Sequence, residues 1–565
     1  MLTKTMENGH ITRRHFALAI LAIGSASFCA LLPWFHFGIP SGHDFEFHFN
    51  SWIEVLNHWK QGVVYPHWAA WAHYGYGEAR FTFYPPVSWT LGAALGAILP
   101  WRIVPAAYVW IALTVSGLAM FAVARRWLST RDAIFAAILY ALNPYHLVIV
   151  YWRSAMAELL AAAYLPLLLL CVLRLEEDGK RMGKIAALAF LLAAGWLTNV
   201  PSAVMMHYSL GVFAIWIAIS RRRWNVLLYA GAAVVAGAAL AAVYLVPVLH
   251  QRSWASLDQV LAPGVRPQDN FLFIRTTDAD HDRFNLLVSI VAASEFTLLG
   301  LTLFFWRAKR AAKLWWPLVS WGGVCALFML SITLPLWRHL PQLQYVQLPW
   351  RWLLAFNVVF ALAVVIGFQR WWLRTAVCIL AIAVLPIVAH RILMPWWDQS
   401  ADIREMVENQ HDGIGNEGAD EYVPAGVDPY DIDRKAPLAA FQKNANGTIK
   451  IEKWTAEDRV LVSRAEQPET LVLRLFNYPL WRLTVNGQKK RTETGPHGEM
   501  LVPIAAGENI IDISFVEGWD RRMGAVISVI ALMTLISGMW VSRPRADQRG
   551  LRTNSNERVA ESSQQ

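Results

Sequence analysis

Apolar stretches long enough to cross a membrane recur along most of this chain. The clear ones lie at 16–36, 103–124, 132–149, 156–173, 185–199, 202–220, 226–249, 286–306, 314–335, 350–368, 371–390 and 522–541. A helix of about 20 apolar residues spans the hydrocarbon core of a bilayer. The pattern therefore predicts an α-helical polytopic membrane protein with about 12 transmembrane helices.

One further apolar stretch, 87–99, lies between prolines and is too short to cross at about 1.5 Å per residue. If it does not cross, 16 Lys and Arg residues between 120 and 380 fall in loops on one side and seven on the other. If it crosses, this bias inverts against the positive-inside rule. We therefore predict a helix at the outer leaflet within a long first outer loop, 37–102, and cytoplasmic termini.

The remaining boundaries follow from this topology. Arg13 and Arg14, just before the first apolar run, resemble a twin-arginine signal. We interpret the run as an uncleaved first span. The predicted order is a cytoplasmic N-terminus 1–15, a transmembrane domain 16–391, an extracytoplasmic domain 392–521, a last helix 522–541 and a disordered cytoplasmic tail 542–565.

The polar segment 392–521 changes its periodicity in its second half. Alternating apolar and polar residues predict strands at 448–454, 459–465, 470–476, 481–485, 500–504 and 509–515. Asn486-Gly487 is a typical hairpin turn between two of them. From about residue 440 we predict a small antiparallel β-sandwich on the outer side.

Composition narrows the function classes. Hydrophobic residues make up 56% of the chain and charged residues 16%, and the net charge of +9 comes from short basic clusters between apolar segments. Such clusters indicate membrane topology, not nucleic-acid binding. The four cysteines all lie in apolar segments, which gives no disulfide framework or thiolate metal site. The cytoplasmic loops carry no phosphate-binding glycine loop, which argues against a nucleotide-driven reaction.

The first candidate site lies where the first span ends. Asp44 and Glu46, flanked by His43 and His48, occupy the mouth of the span, where ionisable groups tend to mark function. In an extended segment Asp44 and Glu46 point the same way, whereas in a helix Asp44 and His48 share a face. Either arrangement suits a Mg²⁺ or Mn²⁺ ligand or a general base. The alternative is a solvated loop whose acids pair with Arg or His.

Other ionisable residues are predicted on the same outer side. Arg153 and Arg351 suit phosphate recognition by a planar guanidinium, and Glu158 and His207 lie at or near the outer ends of spans. The alternatives are interfacial arginines, a carboxylate at a helix start and a core histidine. Together with the acids of the first loop, these residues predict an outer pocket for an anionic lipid headgroup and a polar partner.

These motifs resemble those of known proteins. Asp44-Phe-Glu46 followed by Tyr84-Pro-Pro86 resembles the GT-C superfamily of polytopic glycosyltransferases. More specifically, the chain resembles bacterial membrane proteins of the YfhO-like and "6-pyruvoyl-tetrahydropterin synthase-related" type. The motifs behind that likeness are Gly42-His-Asp44, Tyr151-Trp-Arg153-Ser-Ala-Met-Ala-Glu158, Leu348-Pro-Trp-Arg351, Glu421-Tyr-Val-Pro424 and Asn477-Tyr-Pro-Leu-Trp481.

The resemblance implies an enzyme of the bacterial cell membrane that transfers a sugar from a polyprenyl-phosphate-linked donor on the outer face. The acceptor, whether glycan, lipid or protein, stays open. Asp44 matches the catalytic acid of the superfamily, as base or metal ligand, and Glu46 matches the second acid. Metal use varies across the superfamily, so a divalent cation, Mg²⁺ or Mn²⁺, remains an expectation.

Two other functions compete with this one. A flippase or transporter of lipid-linked glycans also needs an outer polar pocket, but should show inverted repeats or broken helices near the midplane. No repeat is visible in the sequence. A non-catalytic membrane scaffold would instead use the β domain to bind glycan or a partner.

Overall fold

The computed structural model describes residues 13–177, 181–306, 314–443 and 447–541. Within them, ten helices are long and apolar enough to cross a membrane, and two bent pairs bring the number to 12. The ten helices are Arg13–Phe37, Val104–Ala124, Thr130–Arg153, Met156–Leu175, Arg181–Thr198, Val200–Ser220, Ala279–Trp306, Pro349–Gly367, Trp371–Arg391 and Trp519–Val541. The predicted helical membrane fold is confirmed. The predicted C-terminal tail and most of the N-terminal segment lie outside the described residues.

Two predicted spans are not single straight helices. Asn225–Leu240 and Ala242–Gln251 meet at 74°, and Trp315–Phe328 and Ser331–His339 meet at 87°. Apolar composition alone did not reveal the breaks, because both halves are apolar. At about 1.5 Å per residue, the first helix of each pair already runs roughly 20–24 Å before the bend. That length is shorter than a hydrocarbon core about 30 Å thick, so the first helix of each pair does not span it alone.

The segment between the first two spans forms short helices beside the bundle. They are Phe45–Lys60, Arg80–Phe83 and Pro86–Gly96. Trp52 stacks on Tyr108 of the next span, with ring centroids 4.9 Å apart. Gly92 permits this packing, since a Cβ there would lie 2.3 Å from the Trp52 ring.

A backbone contact bears on the prediction that Pro86–Gly96 does not cross the membrane. The Asp44 N–H donates to the Arg153 carbonyl at 2.8 Å, so the two residues lie at the same end of the bundle. The spans Val104–Ala124 and Thr130–Arg153 already supply the two crossings this requires. With these two spans across the membrane, the contact needs no crossing by Pro86–Gly96, which is the arrangement that the charge argument predicts.

The C-terminal β domain consists of two antiparallel sheets. The strands are Ala439–Phe441, Gly447–Trp454, Asp458–Ala465, Glu469–Phe476, Trp481–Val485, Gln488–Lys490, Glu493–Thr494, Glu499–Ile504 and Gly507–Phe515. All six predicted strands are present, and Val485 pairs with Gln488 across the predicted turn. Asn486 and Gly487 adopt φ of 53° and 74°, as a type I′ turn requires.

The β domain packs against the first loop. Trp68 contacts Trp481 at 5.4 Å and Phe515 at 5.9 Å between ring centroids. The Phe476 N–H donates to the Tyr76 carbonyl at 2.9 Å. The β domain therefore lies at the same end of the bundle as Asp44.

Candidate functional site

Asp44 occupies the N-cap position of the helix Phe45–Lys60, but its side chain does not cap the helix. Its backbone instead packs against the end of the span Thr130–Arg153. Gly42 makes this approach possible, since a Cβ would lie 2.5 Å from the carbonyl carbon of Arg153. Glycine is thus required where two backbones meet. The Asp44 carboxylate is directed at Arg153.

The partner backbone has an unusual local conformation. The span ends in a π turn, Ile149–Arg153, followed by Ser154 at φ 51°, in the left-handed region. The Ser154 hydroxyl accepts from the Gly42 N–H and donates to the Pro40 carbonyl, both at 3.0 Å. Left-handed non-glycine residues cost free energy and cluster at functional sites. These two hydrogen bonds hold Arg153 toward Asp44.

The Asp44 carboxylate has two basic neighbours and remains 26% exposed. Nδ1 of the exposed His43 lies 2.7 Å from Oδ1, and Arg153 donates to Oδ2 at 3.4 Å. Burial alone would raise the pKa of Asp44, but the hydrogen bond from His43 and the charge of Arg153 outweigh it and hold the pKa below its usual range. The same hydrogen bond raises the pKa of His43. Asp44 is therefore a carboxylate at neutral pH.

Glu158 joins the two arginines behind Asp44. Its side chain is 1% exposed and accepts from Arg153 at 2.5 Å, from Arg351 at 3.0 Å and from the Tyr145 hydroxyl at 2.5 Å. A buried carboxylate with three donors is stable where an unpaired one would not be. Asp44, Arg153, Glu158 and Arg351 thus form one ionic network with balanced formal charge.

The second arginine is fixed by its own loop. Arg351 donates from Nη1 to the Val346 carbonyl at 2.8 Å and to Gln347 Oε1 at 2.9 Å. The Trp350 ring lies 5.0 Å from the Arg153 guanidinium, a cation–π contact. The segment Leu348-Pro-Trp-Arg351 therefore supplies one arginine of the network and, through Trp350, a contact to the other.

The structure separates the other candidates. Glu46 is exposed in the first helical turn, and residues two apart on a helix point to nearly opposite sides. His48 is buried against Tyr84, and burial lowers its pKa to about 4, so its imidazole is neutral. His207 has other partners, with Nδ1 2.7 Å from the Ala203 carbonyl and its ring packed on Trp196.

The predicted metal ligands do not converge. Because the segment is helical from Phe45, Asp44 and Glu46 diverge, and two neighbours already engage Asp44. Among the described residues, no three His, Cys, Asp or Glu side chains are grouped to hold a metal ion. The pair therefore does not form a shared cation site in this conformation.

Several residues of this region were not singled out from the sequence. Neither Tyr145 nor Gln347 lies in a recognisable sequence motif. Tyr145 donates a hydrogen bond to Glu158, and Gln347 accepts one from Arg351, and the sequence does not show either contact. Glu421 appeared only within a motif. It is half-buried close enough to His43 for its charge to contribute to the raised pKa of that histidine, and burial raises its own pKa to about 7.

Solved structures with some similarity to this chain include an oligosaccharyltransferase and an arabinofuranosyltransferase. The apo oligosaccharyltransferase of Archaeoglobus fulgidus is 13% identical over 70% of this chain and 57% of its own, with a TM-score of 0.41. The arabinofuranosyltransferase AftD from Mycobacteria is 16% identical over 67% of this chain and 27% of its own, with a TM-score of 0.42. The Archaeoglobus enzyme in complex with Zn and sulfate is 15% identical, over 68% and 54%, with a TM-score of 0.37. This chain thus matches about half of one neighbour and a quarter of the other.

No curated protein matches the chain. A family model does: the 6-pyruvoyl-tetrahydropterin synthase related domain, described as a membrane protein, matches residues 81–396. The matched region contains Arg153, Glu158 and Arg351, and it begins after Asp44. Since it covers more than half of the 565 residues, the chain belongs to the 6-pyruvoyl-tetrahydropterin synthase related family of membrane proteins.

Proposed function

We propose that this protein is a glycosyltransferase of the cell membrane that transfers a sugar from a polyprenyl-phosphate-linked donor to an acceptor on the extracytoplasmic face. The observation that carries the proposal is the network of Asp44, Arg153, Glu158 and Arg351 at one end of the bundle. A carboxylate at the rim and two arginines behind it supply a base and an anion site. Transfer of a phosphate-linked sugar needs both.

The reaction assigns a role to each group. The acceptor hydroxyl attacks the anomeric carbon, the bond from that carbon to the phosphate oxygen breaks, and polyprenyl phosphate leaves with the bonding electrons. Asp44 takes the proton from the acceptor hydroxyl, and Arg153 and Arg351 neutralise the leaving phosphate. Glu158 and Tyr145 position the arginines.

Donor binding adjusts the basicity of Asp44. With His43 and Arg153 beside it, the carboxylate has a low pKa and is a weak base. A phosphate that draws Arg153 away from its 3.4 Å contact removes one cause of that low pKa. The pKa of Asp44 then rises toward its usual range, which makes the carboxylate a stronger base while donor is bound.

Orientation and location follow from charge. Basic loops cluster on the side opposite Asp44 and the β domain, which supports an extracytoplasmic site and cytoplasmic termini. Membrane lipids surround the spans, and no nucleic acid takes part. Glu46 stays as a proposed second catalytic acid, and His43, His48 and His207 stay as proposed contributors to sugar or phosphate binding. A divalent cation stays as a proposed cofactor.

A transporter of lipid-linked glycans is the second candidate, because two spans are bent by 74° and 87°. Broken helices are typical of transporters when the break lies at the midplane. Here each bend follows roughly 20–24 Å of helix. The enzyme stays the first candidate because the ionic network supplies a base and an anion site.

The experiment uses proteoliposomes supplied with undecaprenyl-phosphate-linked [14C]glucose, [14C]mannose or [14C]arabinose and cell-envelope glycans. Asp44→Asn should lower release of undecaprenyl phosphate by at least a factor of 100, since it removes the base. Glu405→Gln, an exposed carboxylate at the same end of the bundle, is the matched control and should leave the rate unchanged. A parallel assay with a chelator tests whether sugar transfer requires a divalent cation. Equal rates in wild type and Asp44→Asn would refute the role of Asp44.

A further inference from the structure

Tyr84 lies beside the ionic network and has no role yet in the proposed reaction. Its ring packs edge-on against two side chains of the first helical turn after Asp44, Phe47 at 4.8 Å and His48 at 5.8 Å between ring centroids. The side chain is half-buried. The phenol of Tyr84 therefore forms part of the wall of the site, next to the proposed base.

The backbone around Tyr84 holds its side chain in place. Two prolines follow it, and a residue before proline is restricted to extended conformations. Tyr84 accordingly has φ of −90° and ψ of 129°. Its N–H donates to the Arg80 carbonyl at 2.8 Å, and its carbonyl accepts from the Trp89 indole at 3.3 Å. The short helix Pro86–Gly96 thus anchors Tyr84 at the edge of the site.

The hydroxyl of Tyr84 is open to a ligand. It has no hydrogen-bond partner within the part of the chain that the structure describes, and it is not sealed from solvent. Two neighbouring tyrosines are engaged instead: the Tyr108 hydroxyl lies 2.8 Å from that of Ser88, and the Tyr244 hydroxyl donates to the Phe83 carbonyl at 2.6 Å. Tyrosine hydroxyls in packed surroundings usually find a partner, so the open phenol indicates a group that binds there.

Two opposite charges of the network act on this hydroxyl. Burial and the charge of Asp44 raise the pKa of Tyr84, and the charge of Arg351 lowers it. The net shift is upward, so the phenol keeps its proton at neutral pH and is a hydrogen-bond donor. In the proposed reaction, one oxygen joins the carbon attacked beside Asp44 to the phosphorus held by Arg351. That oxygen lies between the two groups whose charges act on Tyr84.

We propose that Tyr84 is a further catalytic residue, whose hydroxyl donates a hydrogen bond to the phosphate oxygen that carries the sugar. This inference rests on the proposed function for its substrate. As the acceptor hydroxyl attacks, the bond from the anomeric carbon to that oxygen breaks, and the oxygen takes the electron pair. The proton stays on Tyr84, and the hydrogen bond strengthens as the oxygen becomes negative.

Native mass spectrometry of the full-length protein tests this contact, because it resolves each bound lipid by its mass. The probe is undecaprenyl phosphate, which carries the leaving oxygen as an anion. Tyr84→Phe removes only the hydroxyl and keeps the ring contacts with Phe47 and His48. Tyr345→Phe, at an exposed tyrosine of the segment Leu343–Val346, is the matched control.

We expect wild type and Tyr345→Phe to bind undecaprenyl phosphate alike. Tyr84→Phe should bind it roughly 10- to 100-fold more weakly, the effect of one hydrogen bond to a charged group. Its melting temperature should equal that of wild type, because the hydroxyl holds no other group of the described structure. In the proteoliposome assay kcat should fall by a similar factor, with KM for the donor nearly unchanged, since the ester oxygen of the donor bears no charge.

Equal binding or equal kcat in Tyr84→Phe and wild type overturns the inference, means that only water meets the hydroxyl, and leaves the proposed function standing. Weaker binding together with a lower melting temperature gives Tyr84 a structural role and overturns it too. If wild type itself fails to bind undecaprenyl phosphate or to transfer sugar, the proposed function is refuted and this inference with it. The two failures are therefore distinguishable.

Discussion

Replacing Glu158 by Gln tests the ionic network most directly. The change removes one negative charge from a site where Glu158 is 1% exposed and accepts from Arg153, Arg351 and Tyr145. Breaking a buried ion pair costs about 3–5 kcal/mol, because the remaining charge stays buried without its partner. The Gln carbonyl still accepts one hydrogen bond, so we expect a loss of about 3 kcal/mol.

The assay is the free energy of unfolding in mixed micelles, from titration with sodium dodecyl sulfate. The double variant Glu158→Gln, Arg351→Met restores charge balance, because Asp44 and Arg153 then pair alone. It should recover about 1–3 kcal/mol relative to the sum of the single variants. Glu405→Gln should change the free energy by less than about 0.5 kcal/mol. Additive single losses, or an unaffected Glu158→Gln, would refute the idea of a coupled network.

Two further predictions concern the first loop. Gly42→Ala should lower both thermal stability and sugar transfer, since its Cβ would lie 2.5 Å from the Arg153 backbone. The control Gly183→Ala should lower neither, because a Cβ there has nothing within 4 Å. A melting curve and a rate measurement check both variants. Burial raises the pKa of Glu54 from 4.5 to about 8, so folding favours the protonated form, and its contribution to stability is full below about pH 4.5 and is lost as the pH rises through 8. Melting temperatures from pH 5 to 9 should therefore fall more in wild type than in Glu54→Gln, and parallel curves would contradict the assignment.

Local patterns predicted much of the architecture. The six predicted strands between Gly447 and Phe515 lie within two residues of their predicted ends, because alternation of apolar and polar residues is itself the signature of a half-buried strand. The short strands Gln488–Lys490 and Glu493–Thr494 were not predicted. Charge asymmetry predicted that Pro86–Gly96 does not cross, and the contact between Asp44 and Arg153 agrees.

The bends in two of the spans could not be predicted from local patterns. The helices on both sides of the first bend are apolar, Asn225–Leu240 and Ala242–Gln251. Hydropathy indicates that a segment is buried, but not the direction in which its helix axis runs. In the same way, an acidic residue at a span end signals a site without revealing its partners.

The sequence by itself determined the class of protein, the end of the bundle that carries Asp44, Arg153, Glu158 and Arg351, and the β domain. Only the tertiary structure decided which of these residues meet: Glu158 joins the two arginines, and Arg153 reaches Asp44. The physical reason is that composition and periodicity are properties of neighbouring residues. An ion pair between residues 193 positions apart depends on how the helices pack.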